Sequence, residues 1–119
     1  MTKAANYRYI TANHFLLVIY TGGTIGMQPQ ANGLSPAGDF PKRLASALSQ
    51  LPLRDQQMLP AYDVISYSPL IDSSAATPIT WQQLAADIAE RFTEHRGFVV
   101  IHGTDTLSWT AASLAYQLQ

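Results

Sequence analysis

The sequence has 119 residues, a hydrophobic content of 47% and a formal net charge of -1. This length and hydrophobic content predict one domain with a sizeable core. The 7 basic and 8 acidic side chains nearly cancel, so neither nucleic acid nor a membrane surface is an expected partner. The absence of cysteine excludes disulfides and thiolate metal sites, and the three histidines are too scattered to suggest a metal cluster.

Neither an export signal nor a membrane segment is expected in the N-terminal region. Its apolar run at residues 15–20 is far shorter than the ~20 residues of a membrane helix, and shorter than the hydrophobic part of a signal peptide. Residues 1–13 lack both periodicity and turn signals. We therefore predict a loosely held lead-in over residues 1–13, ahead of one domain over residues 14–119.

The first half of the domain is predicted to contain one strand and one helix. Residues 15–20 form a continuous apolar run, which is typical of a strand buried on both faces. Residues 28–39 are rich in Pro, Gly, Asn and Ser, and they predict a long loop that could act as a lid. Asp39 is expected to cap a helix over residues 40–51, which Pro52 ends.

The second half continues the alternation of strands and helices. Strands are predicted at residues 62–67 and 98–101, and helices over residues 81–95 and 107–119, with an irregular stretch at residues 68–78. Thr80 and Gln83 have the spacing of a capping box for the first of these helices, and Gly97 is expected to end it. The alternation predicts a three-layer α/β/α fold around a mostly parallel, doubly wound sheet.

Polar motifs follow each predicted strand. They are YTGGTIG at residues 20–26, DSS at residues 72–74 and HGTDT at residues 102–106. Ligands of such sheets bind outside the carboxyl ends of the strands, so we expect the three motifs to converge despite their separation in the sequence.

The first motif combines glycines with a hydroxyl. Glycine lets a backbone turn sharply and approach a ligand, although a simple strand-exit turn explains the same residues. The motif lacks the Gly-Lys-Ser/Thr of a P-loop and fits only part of a dinucleotide fingerprint, so a nucleotide site is disfavoured. Thr24 is a candidate nucleophile, but an alcohol needs a base or cationic help to attack a carbonyl.

The other two motifs supply candidate partners for Thr24. Asp105, with Thr104 beside it, can orient a proton relay or bind a substrate ammonium group, although Thr104, Asp105 and Thr106 are all well suited to cap a helix. Asp72-Ser73-Ser74 can form a turn or clamp a small zwitterion. His102 is interpreted as a hydrogen-bonded structural residue rather than a base.

Together, YTGGTIG, DSS and HGTDT resemble the L-asparaginase/glutaminase amidohydrolase family, and most closely its cytoplasmic, type I bacterial branch. The similarity runs from about Phe15 to the end of the chain and includes GFVVIHGTDT, SPLIDSS and TPITW. It covers only the N-terminal portion of a family member. The resemblance therefore implies the family's N-terminal α/β domain, in an incomplete form.

The resemblance also implies roles for individual residues. Thr24 matches the nucleophile, Thr104 matches the second catalytic threonine, and Asp105 matches its acidic partner. The substrate-binding set implied is Asp72, Ser73, Ser74 and Gly23. The implied reaction hydrolyses L-asparagine, or L-glutamine, through an acyl-enzyme without a metal or organic cofactor. A cytoplasmic homo-oligomer, a dimer or a tetramer, is implied as well.

The sequence departs from the family pattern in four places. The family's catalytic lysine has no match, because Lys3 and Lys42 stand in other contexts. Leu34 stands where the mobile loop usually has a tyrosine, Ala75 replaces a common acidic residue, and Gln119 precedes the rest of the family's sheet. The alternative is therefore a catalytically impaired amino-acid-binding or interaction module. A tRNA-dependent amidotransferase subunit is disfavoured by the neutral charge.

Overall fold

A computed structural model describes residues 15–36 and 38–119, so the predicted lead-in at residues 1–13 lies outside the described residues. The strands are β1 (Leu16–Tyr20), β2 (Met27–Gln30), β3 (Gly33–Pro36), β4 (Tyr62–Ser66) and β5 (Gly97–Ile101). The helices are α1 (Phe40–Ser49), α2 (Leu53–Met58), α3 (Pro78–Ala89) and α4 (Leu107–Gln117). Over the described ranges, none of these helices is long and apolar enough to cross a membrane.

The central sheet consists of parallel strands in the order β4-β1-β5. Leu16 lies opposite Tyr62 of β4 and Gly97 of β5, and the register continues to Tyr20 without a bulge. The predicted α/β fold with parallel pairing is thus confirmed. Because the strands run in one direction, their carboxyl ends lie at one edge of the sheet, where the polar motifs begin.

Two apolar layers cover the opposite faces of β1. Side chains alternate along a strand, so Leu17 and Ile19 lie on one face and Val18 and Tyr20 on the other. The first pair packs with Ile65 of β4 and with Leu84 and Ile88 of α3, and residues of α4 border this cluster. The second pair packs with Val64 of β4 and Phe40 of α1. Helices on both faces make the predicted three layers.

The predicted loop at residues 28–39 is partly wrong, because β2 and β3 form an antiparallel hairpin there. Gln30 pairs with Gly33 across a two-residue turn, and Gly33 has a φ of 113°. A positive φ is the feature that tight hairpin turns require, and glycine supplies it at little cost. Pro29 lies in a two-stranded ribbon, whose free edges tolerate a residue without an N–H group.

The helix boundaries also differ in part from the prediction. The Asp39 carboxylate accepts from Lys42 N at 3.1 Å, which confirms the cap of α1, whereas the short helix α2 was not predicted. Helix α3 begins at Pro78, so Thr77 replaces Thr80 as the N-cap residue. Proline suits the first position of a helix because its missing N–H would have no partner there.

The end of α3 is the boundary at which the prediction from the sequence is most clearly wrong. The helix ends at Ala89 rather than at residue 95, and residues 90–94 form turns. Gly97 does not end a helix but is the first residue of β5, where it pairs with Leu16 of β1. The side chain of Leu16 lies against Gly97, and a Cβ there would be 2.7 Å from Leu16 Cδ2. This glycine is therefore explained by close packing between strands.

Leu84→Ala should lower the free energy of unfolding by about 2–5 kcal/mol, because the fully buried Leu84 would leave a cavity between α3 and the sheet. The matched control is Leu53→Ala in α2, where the side chain is 70% exposed and a change within about 0.5 kcal/mol is expected. Urea denaturation measures both variants. Equal losses would contradict the assignment of Leu84 to the core.

Candidate active site

The backbone hydrogen bonds of the sheet continue beyond the ends of its strands. Thr21 N donates to Ile101 O at 3.0 Å, and Ile71 N donates to Thr21 O at 2.7 Å. The Thr21 hydroxyl also donates to Ile101 O, at 2.7 Å, and this side chain is only 1% exposed. Thr21 therefore joins the loops that follow β1, β4 and β5. The sequence analysis missed this residue, although a threonine between an apolar run and two glycines is a signal for it.

The loops after β1 and β5 touch through their backbones. Gly23 has a φ of 99°, and a Cβ on it would lie 2.9 Å from Gly103 N and 3.0 Å from His102 C. Any residue other than glycine would therefore be strained by its φ and would also collide with the opposite loop. Thr24 and Thr104 each follow one of the two glycines in the sequence. Since consecutive Cα atoms are about 3.8 Å apart, both threonines lie one residue from this contact.

The DSS loop completes the convergence. Gly103 packs against the side chain of Ser73, and a Cβ on Gly103 would overlap Ser73 Oγ. The Thr106 hydroxyl donates to Ser73 O at 2.6 Å, and Ser73 is 7% exposed. The three polar motifs therefore meet beyond the carboxyl edge of the sheet, as expected. Gly103 and Thr106 are two further residues of this site that the sequence analysis did not single out as functional.

The reactive groups at this edge are open to solvent. Thr24, Thr104 and Asp105 are exposed, and their side chains make no hydrogen bond or ion pair with another residue in the described ranges. The helix-cap alternative fails for Asp105, because Thr106 is the N-cap residue of α4 and no side chain caps that helix. Two hydroxyls and a carboxylate are thus available to a ligand.

The turn at Asp72 holds a charged carboxylate. Asp72 Oδ1 accepts from Ser74 Oγ at 2.8 Å and from Ser74 N at 3.0 Å. The side-chain hydrogen bond first, and the backbone one second, hold the pKa of Asp72 below its ordinary value. The turn interpretation of this motif is therefore correct for Asp72 and Ser74. It is compatible with ligand binding, because both side chains remain exposed.

The turn that carries Thr24 is supported from α1. Thr24–Gly26 is a single 3-10 turn, and Arg43 Nη2 donates to Gly26 O at 2.8 Å. Gly26 packs on the ring of Tyr20, which stacks on Phe40 with ring centroids 4.0 Å apart. The second core layer and Arg43 therefore support the turn that carries Thr24, the candidate nucleophile.

In the described part of the chain, Lys42 is the only lysine. Lys42 lies in the first turn of α1, and Lys3 lies outside the described residues. His102 is hydrogen-bonded to Gly103 O and to Thr110 Oγ1, which agrees with a structural role. Over residues 15–36 and 38–119, no three His, Cys, Asp or Glu side chains are grouped so that they could hold a metal ion.

Gly23→Ala should destabilise the protein more than Gly33→Ala does. Both glycines have a positive φ, so both variants bear the cost of a strained backbone. A Cβ on Gly33 meets open space, whereas one on Gly23 collides with Gly103, which should cost an additional ~1–3 kcal/mol. Chemical denaturation measures the difference. If the two losses are equal, the contact between the loops is not tight.

Ser74→Ala should raise the pKa of Asp72, because it removes the hydrogen bond that contributes most to lowering it. The backbone hydrogen bond from residue 74 would keep part of the effect. The folded-state pKa of Asp72 lies below the unfolded one, so the stability from this turn is lost as the pH falls through the folded pKa. NMR titration of the Asp72 carboxyl carbon measures the shift. Ser46→Ala on α1 is the control, and an unchanged pKa in Ser74→Ala would contradict the assignment.

Comparisons with known proteins agree on one family. The family model described as asparaginase, N-terminal, matches residues 15–119. L-asparaginase 1 of Escherichia coli K12 is 39% identical over 104 residues, which cover 87% of this chain and 30% of that protein. The chain thus spans about a third of the length of the curated relative that it matches.

Solved structures of L-asparaginases are similar to this chain as well. The crystal structure of L-asparaginase I from Vibrio cholerae superposes with a TM-score of 0.73 at 38% identity, covering 88% of this chain and 30% of that one. The thermostable L-asparaginase from Thermococcus kodakarensis gives a TM-score of 0.62 at 26% identity, covering 85% of this chain and 29% of that one. The resemblance predicted from the three motifs is confirmed: the chain belongs to the asparaginase family and corresponds to its N-terminal region.

Proposed function

We propose that this chain carries the nucleophile and the amino-acid-binding groups of an L-asparaginase-type amidohydrolase. The observation that carries the proposal is the contact of Gly23 with Gly103, together with that of Gly103 with Ser73. These contacts bring the three motifs to one place. Their exposed hydroxyls and carboxylates suit an amide substrate that carries both an ammonium group and a carboxylate.

Substrate binding is assigned to Asp72, Ser73, Ser74 and Gly23. The Asp72 carboxylate is exposed and charged at neutral pH, and its lowered pKa extends the charged form to more acidic conditions, so it can pair with the α-ammonium group of an amino acid. The loop's backbone N–H groups are donors for the α-carboxylate, and the Ser74 hydroxyl, which donates to Asp72 Oδ1, orients the Asp72 carboxylate. Asp105 gives a second carboxylate for the ammonium group.

The proposed reaction is acyl transfer in two steps. Thr24 Oγ attacks the carbonyl carbon of the side-chain amide, its proton passes to the leaving nitrogen, and the C–N bond breaks to release ammonia. Water, oriented by Thr104 and Asp105, then attacks the ester carbonyl and releases L-aspartate and the Thr24 hydroxyl. Backbone N–H groups of the glycine loops would stabilise the negative oxygen in each step.

Activation of the second threonine, Thr104, is the step for which the chain offers least. The family uses a lysine from further along the chain for this purpose, and neither Lys3 nor Lys42 matches it, which is the feature behind the alternative of an amino-acid-binding module without turnover. The choice between L-asparagine and L-glutamine rests on a single methylene, which is worth only ~1–3 kcal/mol of discrimination. We also propose, with the family resemblance as the reason, that the protein is cytoplasmic and forms a homo-oligomer.

Thr24→Ala should reduce ammonia release from L-asparagine by more than about a thousandfold, because it removes the nucleophile. Thr104→Ala should also abolish most of the turnover. Both threonines are exposed, so the free energy of unfolding should change by no more than about 0.5 kcal/mol. A coupled ammonia assay and thermal unfolding measure the two effects, and Thr93→Ala, in an exposed turn, is the matched control.

Different outcomes separate the two functions. Turnover by the unaltered chain that survives in Thr24→Ala would contradict the nucleophile assignment. No turnover by the unaltered chain, together with L-aspartate binding in calorimetry, would support the binding module instead. Neither turnover nor binding would reject both functions for this chain.

A further inference from the structure

A chain of hydrogen bonds leads from α3 to the HGTDT loop. Trp81 Nε1 on α3 lies 2.8 Å from Thr110 Oγ1 on α4, which lies 3.0 Å from His102 Nε2. His102 Nδ1 lies 2.5 Å from the carbonyl oxygen of Gly103. Thr110 is only 3% exposed, so the central link of this chain is shielded from water. This series of hydrogen bonds therefore joins α3 and α4 to His102, the residue that follows β5.

The chemistry of the groups fixes the direction of donation along this series of hydrogen bonds. An indole N–H can only donate, so Thr110 Oγ1 accepts from Trp81. A carbonyl oxygen can only accept, so His102 Nδ1 carries a proton. In the neutral imidazole, Nε2 is then an acceptor, and the single hydroxyl proton of Thr110 is directed to it. Donation thus runs from Trp81 through Thr110 and His102 to the carbonyl of Gly103.

The last acceptor belongs to the peptide that precedes Thr104. A trans peptide is planar, so the hydrogen bond that fixes the Gly103 carbonyl also fixes the Thr104 N–H, which points in the opposite direction. In the described part of the chain, Thr104 N donates no backbone hydrogen bond of its own. Its orientation therefore depends on His102 and on the packing of Gly103 against Gly23 and Ser73.

We infer that Trp81, Thr110 and His102 are positioning residues, which orient the Gly103–Thr104 peptide and through it the Thr104 and Asp105 side of the site. The effect on catalysis rests on the proposed function. The effect on the orientation of the HGTDT loop does not depend on the proposed function, because it follows from the hydrogen bonds. Misplacement of a reacting group by about 1 Å can cost on the order of 100-fold in rate, so a network that touches no substrate can still control turnover.

The test compares two substitutions of the central threonine. Thr110→Val keeps the shape of the side chain and removes its hydroxyl, whereas Thr110→Ser keeps the hydroxyl. We expect Thr110→Val to shift the NMR signals of the amides at residues 103–105 and to lower kcat by about 10- to 100-fold, with a smaller change in KM. Thr110→Ser should restore both properties. Thr93→Val, at an exposed turn, should change neither.

If Thr110→Val does not fold, a second variant and a second measurement test the same inference. Trp81→Phe removes the first donor and keeps an aromatic ring, and it should shift the same amides to a smaller extent. Nitrogen-15 spectra of the histidine rings in the unaltered chain should show the Nδ1–H form of His102. An Nε2–H form, or unshifted amides in a folded Thr110→Val variant, would overturn the inference.

The outcomes also separate this inference from the proposed function. Shifted amides with unchanged kcat in Thr110→Val would reject a positioning role in catalysis. If the unaltered chain neither releases ammonia nor binds L-aspartate, the proposed function fails. The amide shifts would still decide whether the network orients the loop.

Discussion

The site depends on a backbone contact that leaves no room for a side chain. Gly23 and Gly103 meet so closely that the loops after β1 and β5 behave as one unit, and Ser73 packs against the same point. Parallel pairing brings the loops to this edge, and the missing side chains let them touch. Residues far apart in the sequence are therefore held together by backbone contacts and by the short side chain of Ser73.

Thr21 gives this contact its rigidity. Its backbone and hydroxyl continue the hydrogen-bond ladder past the end of β1, so the glycine loop starts from an ordered residue rather than from a free end. The exposed hydroxyls and carboxylates are thus carried by a stiff frame, although they make few contacts themselves. This combination of open functional groups and fixed supports is what acyl-transfer chemistry requires. The buried network through Thr110 extends the same arrangement to the far side of the HGTDT loop.

Continuous apolar runs predicted β1, β4 and β5 because strands buried by helices on both sides must be apolar throughout. The candidate site residues follow those strands, and their roles came from the resemblance to the asparaginase family. Their meeting is a consequence of parallel order. The hairpin and the end of α3 could not be predicted. The first depends on a two-residue turn at residues 31–32, directly before Gly33, and the second on turns at residues 90–94 that carry helix-forming residues. The roles of Thr21 and Thr106 depend on contacts between distant residues, which the sequence does not display.

The hydrogen bond from Arg43 to Gly26 O has a mechanical consequence. Gly26 is the last residue of the turn that carries Thr24, and the β2–β3 hairpin begins at the next residue. The bond therefore anchors to α1 the point at which the backbone passes from the Thr24 turn into the hairpin, so a single side chain supports both segments.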